Sequence, residues 1–163
     1  MGAEERPAAD PVAQTVSPAV ERQLLDLLYD LLAALGALHS RGLLHLDVKM
    51  SNLLLHRNGP RRRILWLADM GIARAVHGDT EDDSVVLGTV SYMPSERLMG
   101  QRHLWGPSTD LFSTGAIVWR LMTGNLPFTA KDPSAALTSR RRPLPPFQIR
   151  PGYLAPPGLE DVL

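Results

Sequence analysis

Cysteine does not occur in the sequence, which excludes disulfides and thiolate zinc centres and is compatible with a cytoplasmic setting. Charge of one sign is not in excess either. The 17 Lys and Arg balance 17 Asp and Glu, so there is no global basic field to recruit nucleic acid or an anionic membrane surface. Long hydrophobic runs are missing: the longest, Leu31 to Leu38, has eight residues between Asp30 and His39, far below the roughly 20 that a membrane helix needs. The amino terminus carries Glu4 and Glu5 and no apolar stretch, so it does not read as a secretory signal. His39, His56, His77 and His103 are scattered without metal-ligand spacing. What is present is 163 residues with 44 % hydrophobic content, enough for one domain with a modest core.

Proline and glycine divide this chain. Met1 to Ser17 is alanine, proline and charge without periodicity and reads as a disordered tail. Ser17 as N-cap and Pro18 at the first helical position open a helix. Its apolar stripe runs Val20, Leu24, Leu27, Leu28, Leu31, Leu32, Leu35, Leu38, and Gly42 supplies a left-handed cap after Arg41. Leu53 to His56 and Ile64 to Leu67 read as two short strands across the turn residues Arg57-Asn58-Gly59-Pro60. Ser108-Thr109-Asp110 opens a second helix that is apolar around most of its circumference through Met122, hence buried. Ala130 to Leu137 reads as one short helix, and Arg140 to Leu163, with six prolines, as loose structure. The domain expected is therefore 18–137, followed by a Pro/Arg-rich end at 138–163. Trp66 and Trp119 sit in apolar periods and are expected in the core.

One stretch does not fit a solvated face. In His45-Leu46-Asp47-Val48-Lys49-Met50-Ser51-Asn52, four polar groups at offsets 0, 2, 4 and 7 lie inside an apolar segment. Further along come Asp69-Met70-Gly71, then Gly88-Thr89-Val90-Ser91-Tyr92-Met93-Pro94-Ser95-Glu96, then Asp110-Leu111-Phe112-Ser113-Thr114-Gly115, then Leu121 to Phe128. In this order they resemble the H-R-D-x-K-x-x-N, D-F-G, G-T-x-x-Y-M-A-P-E, D-x-x-S-x-G and L-x-x-G-x-x-P-F motifs of the large lobe of eukaryotic-like serine/threonine protein kinases.

The resemblance implies a fold that is mainly α with a small β-hairpin, like a protein-kinase C-lobe with the small lobe absent. It implies transfer of the ATP γ-phosphoryl group to protein Ser or Thr, with ATP and Mg²⁺ as cofactors and a cytoplasmic location. By position, Asp47 would orient the substrate hydroxyl and accept its proton, and Lys49 would sit near the γ-phosphoryl group. Asn52 and Asp69 would supply hard oxygen ligands for Mg²⁺, and Leu54 would lie under the adenine ring. Thr89 would belong to the substrate-facing loop, with Thr80 and Ser84 as candidate phosphorylation sites between Asp69 and Glu96. His45, Gly71, Glu96 and Asp110 take structural roles, Asp110 anchoring the catalytic-loop backbone. Each polar residue also has a plainer reading: Asp47 and Lys49 as an exposed loop pair, Asp69 as turn chemistry before glycine, Asp110 as a first-turn acid.

Departures from the family pattern shape the expectation. Only 46 residues precede Asp47, and Met1 to Ser17 contains no G-x-G-x-x-G and no lysine, so the ATP clamp of the small lobe is expected to be missing and the truncated chain inactive alone. Leu46 stands where an arginine usually grips a phosphorylated loop, which argues against that mode of activation. Glu96 pairs in the family with a buried arginine from a later segment; Arg140 to Arg142 could substitute, or form a solvated cluster. The expected partners are a protein substrate and a missing small lobe, with no nucleic acid and no membrane segment in this chain. The alternative is a non-catalytic kinase-like binding module that uses the surface around Thr89 to Arg97.

Overall fold

The structure, a computed structural model, describes residues 18–58, 62–69, 74–75 and 90–148. Helix α1 spans Pro18–His39. Leu31 and Leu35, four apart and each 1 % exposed, face inward with Leu27 beside them. The stripe is narrower than its spacing predicts. Leu32 is 47 % exposed, because one step of about 100° from Leu31 carries it past the contact line. The helix ends at His39, and Gly42 (φ 68°) closes the following turn by donating its N–H to the His39 carbonyl, 3.0 Å.

Strand β1, Leu43–Leu44, then enters the segment that holds His45, and a 3-10 turn covers Met50–Asn52. Strands β2 (Leu53–Asn58) and β3 (Arg62–Leu67) form an antiparallel hairpin in the register Leu53↔Leu67 to Asn58↔Arg62. Each strand is longer than its apolar run, since the ladder continues through charged residues that can remain in water. One face, with Leu53, Leu65 and Leu67, packs against α1. Asp30, inside the α1 stripe, accepts the Leu65 N–H at 3.1 Å and ties helix to strand. The other face carries Leu54 opposite Trp66, and Trp66 is 57 % exposed. The expectation that Trp66 is core is thus wrong: alternation along a hairpin covered on one side turns every second residue outward, and an apolar run does not reveal whether both faces are covered. His56 stacks on Trp66 at 5.3 Å.

A second ladder was not foreseen. Strand β4, Arg74–Ala75, pairs antiparallel with β1 (Leu43↔Ala75, Leu44↔Arg74). Short helix α2, Ser95–Leu98, precedes helix α3, Pro107–Thr123, which ends at Gly124 with φ 82°. Ala116, Ile117, Trp119 and Met122 of α3 are buried, as its apolar circumference predicts. Helix α4 spans Pro133–Arg140, later than the predicted 130–137, because Asp132 caps it by accepting the Ala135 N–H at 2.8 Å and Pro133 takes the first helical position. It therefore crosses the expected boundary at residue 137. The chain continues without regular structure through residue 148, where Phe147 meets Trp119 edge-on at 5.0 Å. The core lies where α1, the segment around Val48, the hairpin and α3 meet. Among the described residues no helix is long and apolar enough to cross a membrane.

Candidate active site

Two ladders and one helix bring the site together. Because Leu53 pairs with Leu67, the residues just outside the hairpin are neighbours, and the Ala68 N–H donates to the Asn52 carbonyl at 2.8 Å. Asp69 follows directly. The β1–β4 pairing returns the chain beyond Asp69 to the start of the His45 segment. Residues 17 apart in sequence, Asn52 and Asp69, thus leave adjacent strand ends.

Asp110, in the first turn of α3, is 1 % exposed and holds the segment from beneath. Its Oδ2 accepts the His45 N–H at 2.9 Å and its Oδ1 the Leu46 N–H at 2.8 Å. His39 Nε2, at the end of α1, lies 2.8 Å from the same Oδ2. One carboxylate therefore links α1, the polar segment and α3. The backbone here needs such a hold: Leu46 has φ 63° and Asp69 φ 64°, and a left-handed conformation costs a residue with a Cβ about 1–2 kcal/mol. Among the described non-glycine residues these two alone have positive φ, and they flank the polar cluster, which is where stored backbone strain tends to serve a function.

His45 is fully buried. Its Nε2 lies 3.2 Å from the Ala68 carbonyl, and its Nδ1 accepts the Asp47 N–H at 3.3 Å. A neutral ring satisfies both contacts only as the Nε2–H tautomer. His45 thereby fixes Asp47 through the backbone and touches the chain leading to Asp69. The Asp47 side chain is closely bound in turn: its Oδ2 accepts from Lys49 Nζ at 2.6 Å and from Asn52 Nδ2 at 3.1 Å. Asn52 Nδ2 also donates to the Asp47 carbonyl at 2.8 Å. Both neighbours of that Nδ2 are acceptors, which settles the amide orientation. Asn52 Oδ1 is consequently turned away from Asp47, and Asp47 Oδ1 is the carboxylate oxygen without a partner among the described residues.

The donor set fits the groups the resemblance implies. Asn52 Oδ1 and the exposed Asp69 carboxylate are hard oxygens on adjacent strand ends, suited to Mg²⁺, which takes one or two protein oxygens together with phosphate. Lys49 adds one cation beside them. Leu54, 51 % exposed on the outer face of the hairpin, offers apolar surface to a planar ring. Gly71 and Thr89, with Met70, Gly88, Thr80 and Ser84, lie outside the described residues. Glu96 stands apart from the cluster. Its Oε1 accepts from the Thr109 hydroxyl at 3.2 Å, and that hydroxyl accepts the Gly106 N–H at 3.1 Å. It is therefore bound at the start of α3 by a threonine and not by Arg140.

Several contributors were not foreseen. His39 lies among histidines without metal-ligand spacing, and its partner Asp110 is 71 residues away; no local signal connects them. Arg140 is not part of a solvated cluster. Its Nη2 reaches the carbonyls of Val90 at 2.9 Å, Ser91 at 3.4 Å and Met93. Arg120 donates to the Tyr92 hydroxyl at 2.8 Å, and Ser113 to the Tyr92 carbonyl at 2.8 Å.

Comparison with known proteins places these features in context. A family model described as protein kinase domain matches residues 6–152, a span that includes part of the predicted tail and of the Pro/Arg-rich end. Serine/threonine-protein kinase Pkn1 of Myxococcus xanthus is 32 % identical over 151 residues, 90 % of this chain and 21 % of that protein. Serine/threonine-protein kinase PknL of Mycobacterium tuberculosis is 34 % identical over 113 residues, 69 % of this chain and 27 % of the relative. A chain of the crystal structure of the yeast RNA Pol II CTD kinase CTDK-1 complex superposes with a TM-score of 0.59 at 26 % identity, over 77 % of this chain and 38 % of that one. Such relatives are much longer: the chain spans 21 % of Pkn1 and 16 % of pkn2, both of Myxococcus xanthus.

Proposed function

The chain belongs to the protein kinase domain family, and on that premise we propose that it carries the large-lobe part of a serine/threonine protein kinase, moving the γ-phosphoryl group of ATP to a protein Ser or Thr. The observation that carries this reading is the Asp47–Lys49–Asn52 cluster, closed by hydrogen bonds and set beside Asp69. The substrate hydroxyl oxygen attacks the γ-phosphorus, and its proton passes to Asp47 Oδ1. The bond from phosphorus to the β,γ-bridging oxygen breaks, and ADP leaves with that electron pair. Lys49 and Asn52 hold Oδ2, which leaves Oδ1 for the hydroxyl; such positioning supplies much of the rate in phosphoryl transfer. Lys49 also places positive charge where the transferred group's charge spreads. Mg²⁺ held by Asn52 and Asp69 would neutralise charge on the phosphates.

The remaining half of the ATP site is assigned to a partner small lobe that covers the outer face of the hairpin. Support comes from Leu54 and Trp66, side by side there and 51 % and 57 % exposed, large apolar area that a lone domain does not gain from. A location in the cytoplasm accords with the absence of cysteine.

The test compares the 163-residue chain alone with the chain fused behind the small lobe of a related kinase, each given Mg-ATP and a generic Ser/Thr protein substrate. The expected result is phosphoserine or phosphothreonine from the fusion and little or none from the chain alone. Transfer by the chain alone would show that no further lobe is needed. A folded fusion that ignores Mg-ATP would instead favour a non-catalytic binding module.

A further inference from the structure

The segment Val90–Met93 is buried throughout, at 0 to 7 % exposure, yet it belongs to no helix or strand. Its carbonyl oxygens must therefore find partners elsewhere. The Met93 N–H closes a turn on the Val90 carbonyl at 3.3 Å, and the remaining donors come from α3 and α4. The Tyr92 carbonyl accepts from Ser113 of α3, and the other three accept from one atom, Arg140 Nη2 of α4. Two N–H bonds serve three oxygens, so the arrangement is bifurcated, with the Ser91 contact at 3.4 Å the weakest. Arg140 Nη1 returns to its own helix at the Ala136 carbonyl, 2.9 Å.

The guanidinium is built into this position. It lies 4.9 Å from the ring of Phe128 and 5.6 Å from that of Phe112, which stack on each other at 6.0 Å. Burial pushes its pKa down to about 10, so it remains a cation at neutral pH, its lost hydration offset by carbonyl oxygens and ring faces. Its Nε is buried with no hydrogen-bond partner among the described residues. A group that only filled space would not carry that cost. Arg141 and Arg142, next in the chain, are exposed.

We propose that Arg140 is the positioning residue that holds Val90–Met93 in one shape and thereby sets which residues beside the phosphoacceptor the protein accepts. The proposal rests on the kinase reading, in which this segment faces the protein substrate; Arg140 itself touches no substrate. With all four carbonyls turned toward α3 and α4, a peptide laid over the segment finds no free main-chain acceptor there. Selection falls to side-chain fit, which needs a rigid surface.

The test uses the whole chain with Arg140→Met, Arg140→Lys and the control Arg141→Met. Methionine keeps apolar bulk between the phenylalanines and removes every donor; lysine keeps a cation with a single donor centre. Hydrogen–deuterium exchange reads the segment directly. Hydrogen bonds from a charged donor correspond to about tenfold or more in local opening. Amides 91–93 should exchange about tenfold faster in Arg140→Met, by an intermediate factor in Arg140→Lys, and unchanged in Arg141→Met, with amides 31–35 of α1 steady in all three. An array of Ser- and Thr-centred peptides reads selection. Wild type should retain a subset defined by residues flanking the Ser or Thr, and Arg140→Met should flatten that preference while retaining similar total peptide. Unchanged exchange, or an unchanged preference in Arg140→Met, overturns the proposal. If Arg140→Met loosens α1 as well, Arg140→Lys decides, and it must loosen 91–93 alone. A wild-type chain that retains no peptide contradicts the substrate reading, and the exchange result then still decides whether Arg140 fixes the segment.

Discussion

Replacing Asp110 with asparagine changes one oxygen to an NH₂ group at a position that is 1 % exposed. Three donors converge on that carboxylate: the His45 and Leu46 N–H groups at 2.9 and 2.8 Å and His39 Nε2 at 2.8 Å. Asparagine has one acceptor oxygen. If it serves Oδ2, the NH₂ group faces the Leu46 N–H, donor against donor, and a buried amide is left unsatisfied. Such an orphan costs about 1–3 kcal/mol, and bonds that lose their charge lose about half their strength. The sum, about 2–4 kcal/mol, is a large share of the roughly 5–15 kcal/mol that domains possess. Asp110→Ala removes both acceptors and should be worse, leaving little folded protein. Urea unfolding measures the change, with the slope unchanged and the midpoint lowered. Hydrogen exchange at amides 45 and 46 locates it. An Asp110→Asn unfolding free energy within about 0.5 kcal/mol of wild type, or continued protection of those two amides, would refute the role of Asp110 as anchor.

Two further predictions concern the same neighbourhood. In ¹⁵N NMR spectra near neutral pH, the neutral form of His45 should show the Nε2–H tautomer, since Nδ1 accepts from the Asp47 N–H; a protonated Nδ1 would mean that Asp47 is not positioned through this ring. Trp66, 57 % exposed against 7 % for Trp119, should dominate acrylamide quenching. Trp66→Phe should remove most of the quenchable emission, and fusion of a small lobe should shield Trp66; quenching that is the same with and without that lobe would place the lobe elsewhere.

Much of the fold was legible because periodicity and local chemistry agreed. Helix α3 runs from Pro107 to Thr123 near its predicted limits, and the turn residues after Arg57 marked the hairpin. Helix α4 was displaced although Asp132-Pro133 signals a cap and a first helical position in the sequence. Trp66 was misplaced because a Leu-Trp-Leu run reads the same whether one or both faces of a strand are covered. The candidate site residues were legible as a motif, whereas the geometry that holds them was not. The left-handed Leu46, the contact of His39 with Asp110 and the reach of Arg140 to Val90–Met93 are all produced by tertiary packing across 47 to 71 residues of separation or by the strain it sustains. No window of sequence contains both partners.

Asp47→Asn in the fused protein tests the central claim most directly. The substitution is nearly isosteric, and its amide can keep one oxygen toward Lys49 and Asn52, so folding and Mg-ATP binding should be retained. General-base assistance contributes typically about 10²–10⁴-fold, so phosphate transfer to Ser or Thr should fall by at least about a hundredfold while nucleotide affinity stays within about threefold. Transfer that survives Asp47→Asn in a folded, nucleotide-binding protein would contradict the assignment of Asp47, and with it the reading of this cluster as a phosphoryl-transfer site.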